Sequence, residues 1–368
     1  MRFPFASLAL GLAAASCGGA DPAGPDSGRT RSYALGFTDF PHARSFEAVA
    51  AAQRVVQTDG DLIALHFDDG VPWEEALRGA PYPAGFRQDL ERRAASLPAG
   101  HIRYLAVTPI AFARDRLAPR RGVAGREPLE PPWDRRGFDH PEVMAAFAAH
   151  CQRMITSFSP HFFAYAIEAN MLERFSPQAW PAFVRLAREV YSSVKAANPA
   201  LPVFLTLQAD FFHADPVRQG RAIAELLPYA DLVAISSYPF TQQPDPQALR
   251  ADLFSGLTDL APGQRFAVAE TAWPAEPVGA PYPVAIPASD EAQRLYVERL
   301  IADADRLEAA FVMWFFTRDY DSLWDSEIQF LAEAPLLRLW KDCGLYAGDG
   351  RARPALAAWR RALARPRK

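Results

Sequence analysis

The sequence predicts a (β/α)8 barrel, the TIM barrel, built as one α/β domain. Three observations carry this. From residue 33 onward, eight short apolar runs alternate with longer amphipathic ones. Most of the short runs are almost continuously apolar, as parallel strands covered on both faces must be. Eight strand–helix units in about 330 residues also match the size of such a barrel. A doubly wound open sheet is the runner-up, but no glycine fingerprint follows the first strand.

The predicted strands are YALGF (33–37), LIALHF (62–67), IRYLAVTPI (102–110), FFAYAI (162–167), PVFLTL (202–207), DLVAISSY (231–238), RFAVAE (265–270) and AAFVMWFF (309–316). Helices are expected between them. SFEAVAAAQRVVQ opens with Ser45 as N-cap and Glu47 in the first turn. PEVMAAFAAHCQRMITSF starts on Pro141, a favoured first helical position. In SPQAWPAFVRLAREVYSSVKAANP, Pro181 cannot donate a backbone bond, so the regular helix begins just before it. SDEAQRLYVERLIADADRL places Val297, Leu300, Ile301 and Leu307 at helical spacing, and RPALAAWRRALAR closes the chain.

The N-terminus stands apart. MRFPFASLALGLAAASCGGA has one positive charge, an apolar stretch and then small residues, which reads as a secretory signal over residues 1–16. AAASC resembles a bacterial lipobox, which makes Cys17 the expected lipidated first residue. Residues 17–32 then form a flexible tether, and 33–368 form the barrel. We therefore expect an exported monomer, held on the cell envelope by a lipid anchor in the membrane. Removing residues 1–16 takes away Arg2 only, so the mature balance is 38 − 43 = −5. Cys151 and Cys343 remain, and sequence leaves open whether they form a bridge or two buried thiols.

Charge is interleaved, with a formal net of −4, which excludes the basic surface of a nucleic-acid binder. No phosphate-binding glycine loop and no paired Cys or His metal motif is present, so no cofactor is expected. The barrel itself makes a sharp prediction: chemistry belongs at the C-terminal ends of the strands. Read in order, those ends carry Asp39, His66 with Asp68 and Asp69, Thr108, Glu168 with Asn170, Gln208 with Asp210, Tyr238, Glu270 with Trp273, and Trp314 with Arg318 and Asp319. Caps and turns explain Asp and Asn at such places. They do not explain glutamates ending the fourth and seventh strands, because Glu is neither a good cap nor a turn former.

Two glutamates facing one another across a barrel mouth fit glycoside hydrolysis. One protonates the leaving oxygen and the other attacks the anomeric carbon; with retention, the carboxyls stand roughly 5–5.5 Å apart. Burial and mutual repulsion drive their proton affinities apart. The chain resembles the clan A glycoside hydrolases on these residues. AYAIEANML is similar to that clan's acid/base segment, its EAN matching EIN and EPN variants, and FAVAETAWP is similar to the nucleophile segment. Within the clan the arabinogalactan endo-β-1,4-galactanases look most alike. The resemblance implies Glu168 as acid/base and Glu270 as nucleophile. It also implies Tyr238 as hydrogen-bond partner of the nucleophile and Trp314 as the floor under the sugar. One position departs: Ile167 stands where the clan has an Asn that contacts the sugar 2-hydroxyl. Asn170 is the candidate to compensate.

Further substrate contacts are expected from His66, Asp39, Gln208, Trp73 and Trp273, with an oligo- or polysaccharide as partner. Trp133, on a loop rich in Pro and Arg, is expected to pack that loop down. The sequence thus reads as a retaining β-glycan hydrolase. Ile167 favours one rival, a carbohydrate-binding envelope lipoprotein that has lost turnover.

Overall fold

The computed structural model describes residues 29–123 and 125–368. The predicted signal, Cys17 and most of the tether lie outside the described residues. All eight predicted runs form strands of one parallel sheet: β1 (Ala34–Thr38), β2 (Leu62–Phe67), β3 (Ile102–Val107), β4 (Phe162–Ala164), β5, β6 (Leu232–Ser237), β7 (Arg265–Thr271) and β8 (Phe311–Trp314). β5 is split into Val203–Phe204, which pairs with β4, and Thr206–Gln208, which pairs with β6. β1 pairs with both β2 and β8, so the sheet closes on itself as a TIM barrel. A short hairpin, Arg120–Gly122 with Gly125–Glu127, projects from the loop after β3.

The helices begin where local chemistry places them. Ser45 caps Phe46–Asp59 by accepting from Ala48 N, and Pro141 opens Pro141–Phe158. Trp180–Ala197 starts one residue before Pro181. Packing begins before β1: Arg31 is buried, donates to the Arg365 and Leu363 carbonyls and pairs with Asp61. Cys151 and Cys343 are buried free thiols.

Two cores share the strands. Alternate residues fill the interior, among them Ala34, Leu62, Ala64, Tyr104, Ala106, Phe162, Phe204, Ala234, Phe311 and Met313. Their neighbours, including Leu35, Ile63, Phe163, Ile235 and Trp314, face the helices. This period-two alternation decides what reaches the mouth. The interior series 62, 64 continues to His66; 232, 234 to Ser236; and 311, 313 to Phe315. β7 breaks the rule usefully. Ala267 pairs with Ala234 and Val268 with Ile235, but the next partner of Ser236 is Glu270. The intervening Ala269 is the extra residue of a β-bulge, which re-aims the next side chain. Without it, Glu270 would follow Val268 toward the helix layer.

Candidate active site

A cavity of about 890 Å³ opens at the C-terminal end of the barrel. Glu168 and Glu270 both line it, and both are buried. Ser236 stands between them: its hydroxyl donates to Glu168 Oε1 at 2.7 Å, and its backbone is the direct cross-strand partner of Glu270. Adjacent strands lie about 4.8 Å apart, so the two carboxyls, distant in the chain, meet at one rim. Glu168 lies four residues beyond β4 and has a left-handed backbone, φ 51°. That conformation is costly for a residue with a Cβ and is held only where the surroundings enforce it. Here Thr206 accepts from Glu168 N at 2.8 Å, and the short helix Asn170–Phe175 begins two residues later.

The two glutamates have unlike surroundings. Glu168 Oε2 accepts from Arg114 Nε at 3.2 Å and Nη2 at 3.0 Å. Arg114 also meets Asp68 Oδ2, at 2.8 Å through Nη1, so one buried cation joins two acids. Burial works against this cation, but Asp68 and Glu168 more than offset it and raise its pKa. Burial pushes Asp68 up to about 6, against the pull of Arg114. Glu270 accepts a short hydrogen bond from the Tyr238 hydroxyl. Burial first, and then the charge of Glu168, drive Glu270 well above the usual carboxylate range; Tyr238 and Arg114 act the other way. His66 Nδ1 lies 3.8 Å from Glu270 Oε2. Its pKa falls to about 3 through burial and the nearby Arg114 and Arg93, so the ring is neutral.

The expected site residues divide into two groups. Asp39, His66, Gln208 and Tyr238 line the cavity with the glutamates. Asp39 is gripped by Arg93 at 2.7 and 3.2 Å. Gln208 donates to Asp210 and accepts from Phe211 N, so both ends of its amide are already occupied.

The other four face elsewhere. Asn170 is fully buried: it donates to Gln208 O and Gln219 Oε1 and accepts from Gln208 N. It therefore ties the β4 loop to β5 and does not replace the missing sugar contact. Ile167, at the departing position, points into the barrel interior. Trp314 is the outward member of its alternation. Its indole donates to Cys343 O at 2.8 Å among Tyr296 and Trp359, and Phe315 takes the place at the mouth. Trp273 is likewise fully buried and packs, tilted, against Tyr296 at 4.8 Å. Trp73 donates to Ala118 O and stacks on Trp133 at 5.8 Å, so both tryptophans hold loops down.

Sequence reasoning missed Arg114, Ser236, Phe315 and Trp340. Extending the alternation of β6 and β8 by one step finds Ser236 and Phe315. No sequence signal marks Arg114, which arrives from the loop after β3. Asp319, placed by the sequence at the end of the eighth strand, belongs to a group of acids outside the cavity. Glu276, Asp319 and Asp342 converge, but Arg353 bridges Glu276 and Asp319 while Arg338 and Lys341 hold Asp342, so cationic side chains already sit among these acids.

No family model matches the chain, and no curated protein matches it in sequence. Solved structures do. A GH5_18 protein from Streptomyces cattleya, in complex with GlcNAc, has a TM-score of 0.65 at 17% identity, over 91% of this chain and 80% of that one. The Ignisphaera aggregans GH53 catalytic domain gives 0.54 at 19%, over 87% and 88%. An exo-β-1,4-mannosidase from Opitutaceae bacterium strain TAV5 gives 0.62 at 14%, over 91% and 60%. At these identities the likeness establishes the barrel fold.

Proposed function

We propose that this protein is a retaining glycoside hydrolase acting on a β-linked glycan. The observation that carries this is the convergence of Glu168 and Glu270 on either side of Ser236, in one cavity at the C-terminal mouth. In the first step, Glu270 bonds to the anomeric carbon as the glycosidic C–O bond breaks, and the proton of Glu168 goes to the leaving oxygen. In the second, water attacks that carbon, gives a proton to Glu168 and releases Glu270. The Tyr238 hydroxyl supports the carboxylate form of Glu270 that this requires. His66 Nδ1 and Asp68 Oδ1 are buried without a hydrogen-bond partner beside the glutamates, a position suited to sugar hydroxyls. The sugars in the similar structures, GlcNAc and Manβ1-4GlcNAc, support a carbohydrate as the ligand.

A panel of β-glycans and aryl β-glycosides tests this, with the anomeric configuration of the product followed by NMR. Retention is expected, and wild-type turnover by Glu168→Ala or Glu270→Ala would overturn the reading. One observation favours the rival. Arg114 Nε and Nη2 both donate to Glu168 Oε2, so that oxygen is already engaged by a cation instead of turned to a leaving group. Sugar binding without turnover, unchanged in Glu270→Gln, would establish the rival. We also infer export and anchoring through Cys17, supported by the AAASC segment; loss of fatty-acid labelling in Cys17→Ser tests it.

A further inference from the structure

One wall of the cavity is unlike the rest. The charged lining comes from the segments after β1 to β4 and from Glu270. The long segment after β8 contributes Phe316, Tyr320, Ile328, Leu336, Leu337, Leu339 and Trp340, and of these only Tyr320 and Trp340 carry a polar atom. The wall is continuous with the catalytic floor. Phe315 and Trp340 both meet the Tyr238 ring edge-on, at 6.4 and 5.4 Å, and Tyr238 is bonded to Glu270. Whatever rests on this wall is therefore attached to the sugar that reaches the glutamates.

A second sugar ring would find few partners there: of the polar atoms on this wall, Trp340 Nε1 is the one buried without a hydrogen bond. Each buried hydroxyl left without a partner costs about 1–3 kcal/mol, and aliphatic Leu and Ile offer none. The outer rim continues the pattern. Of the eight large apolar side chains exposed among the described residues, Phe175 and Leu336 line this cavity, and Phe330 and Leu331 lie on the same segment after β8.

We propose that the substrate is an amphiphilic β-glycoside, a sugar carrying an apolar alkyl or acyl-chain aglycone that lies along the wall after β8. This rests on the reading of the floor as a glycoside site. The test uses butyl, hexyl and octyl β-glycosides of glucose, galactose and mannose, below their micelle concentrations. Binding is measured by calorimetry on Glu270→Gln, and turnover on wild type.

Affinity for the preferred sugar should tighten with chain length, by up to about fourfold per methylene. In an Ile328→Asp/Leu336→Asp variant the gradient should flatten, while Tm stays near wild type. Leu336 is exposed and Ile328 half-buried, so the fold tolerates both changes. Affinity independent of chain length, or a gradient intact in that variant, overturns the proposal. Turnover of unsubstituted oligosaccharides without a gradient overturns it and leaves the hydrolase reading standing. A gradient without turnover supports the apolar subsite and overturns the hydrolase reading.

Discussion

Replacing Tyr238 by Phe removes one hydroxyl and little else. The ring keeps its edge-on contacts with Phe315 and Trp340, so Tm should hold. What is lost is the hydrogen bond to Glu270 Oε1, which favours the carboxylate. A hydrogen bond to a charged group is worth about 1.5–3 kcal/mol, or about 1–2 pKa units at 1.36 kcal/mol per unit. The carboxyl of Glu270, already driven up by burial and by Glu168, should therefore rise by about 1–2 units more. The ionised, nucleophilic form of Glu270 becomes about 10–100-fold rarer below the raised pKa. The assay is kcat/KM against pH for both proteins. In the variant kcat/KM should fall by up to about 10–100-fold, and the limb that Glu270 sets should move up about 1–2 units with the other in place. A fall of that size with both limbs unmoved would refute this account of Tyr238, as would a limb moving down.

Four other outcomes follow from the same structure. Glu168→Ala should lower kcat by about 10²–10⁴ for a poor leaving group and far less for an activated aryl glycoside, which needs no proton; equal losses for both would remove Glu168 from the acid role. Glu270 binds its proton more tightly folded than unfolded, so its contribution to stability is full below the ordinary carboxylate pKa and is lost as pH rises through the raised one. Calorimetric Tm values should thus show Glu270→Gln gaining on wild type as pH rises, and a gap constant with pH would contradict this. Asn170→Ala should act on stability rather than substrate binding, costing about 1–3 kcal/mol for each buried partner left unpaired; a raised KM at unchanged Tm would return Asn170 to the sugar site. Phe315→Ala should raise KM while Trp314→Phe leaves it alone, because only Phe315 lines the cavity.

The sequence by itself determined the barrel and the ends at which its chemistry gathers. Eight continuous apolar runs of strand length, separated by capped amphipathic segments, have few other ways to bury both faces of a sheet. It also marked Glu168 and Glu270, since a carboxylate at the end of a buried strand is too costly to be idle. The tertiary structure decided which face each neighbouring residue takes. Trp314 and Phe315 differ by one position and point to opposite sides of the sheet, because side chains alternate strictly along a strand. Glu270 reaches the cavity only through a bulge at Ala269, which no run of letters announces. Asn170 looked free to touch a sugar until β5 and Gln219 took its hydrogen bonds. Arg114 comes from a loop whose path depends on everything beneath it, and it brings the cation that pairs with Glu168. Periodicity and burial are local properties of a chain, whereas the pairing of charges across a barrel mouth exists only once the barrel has closed.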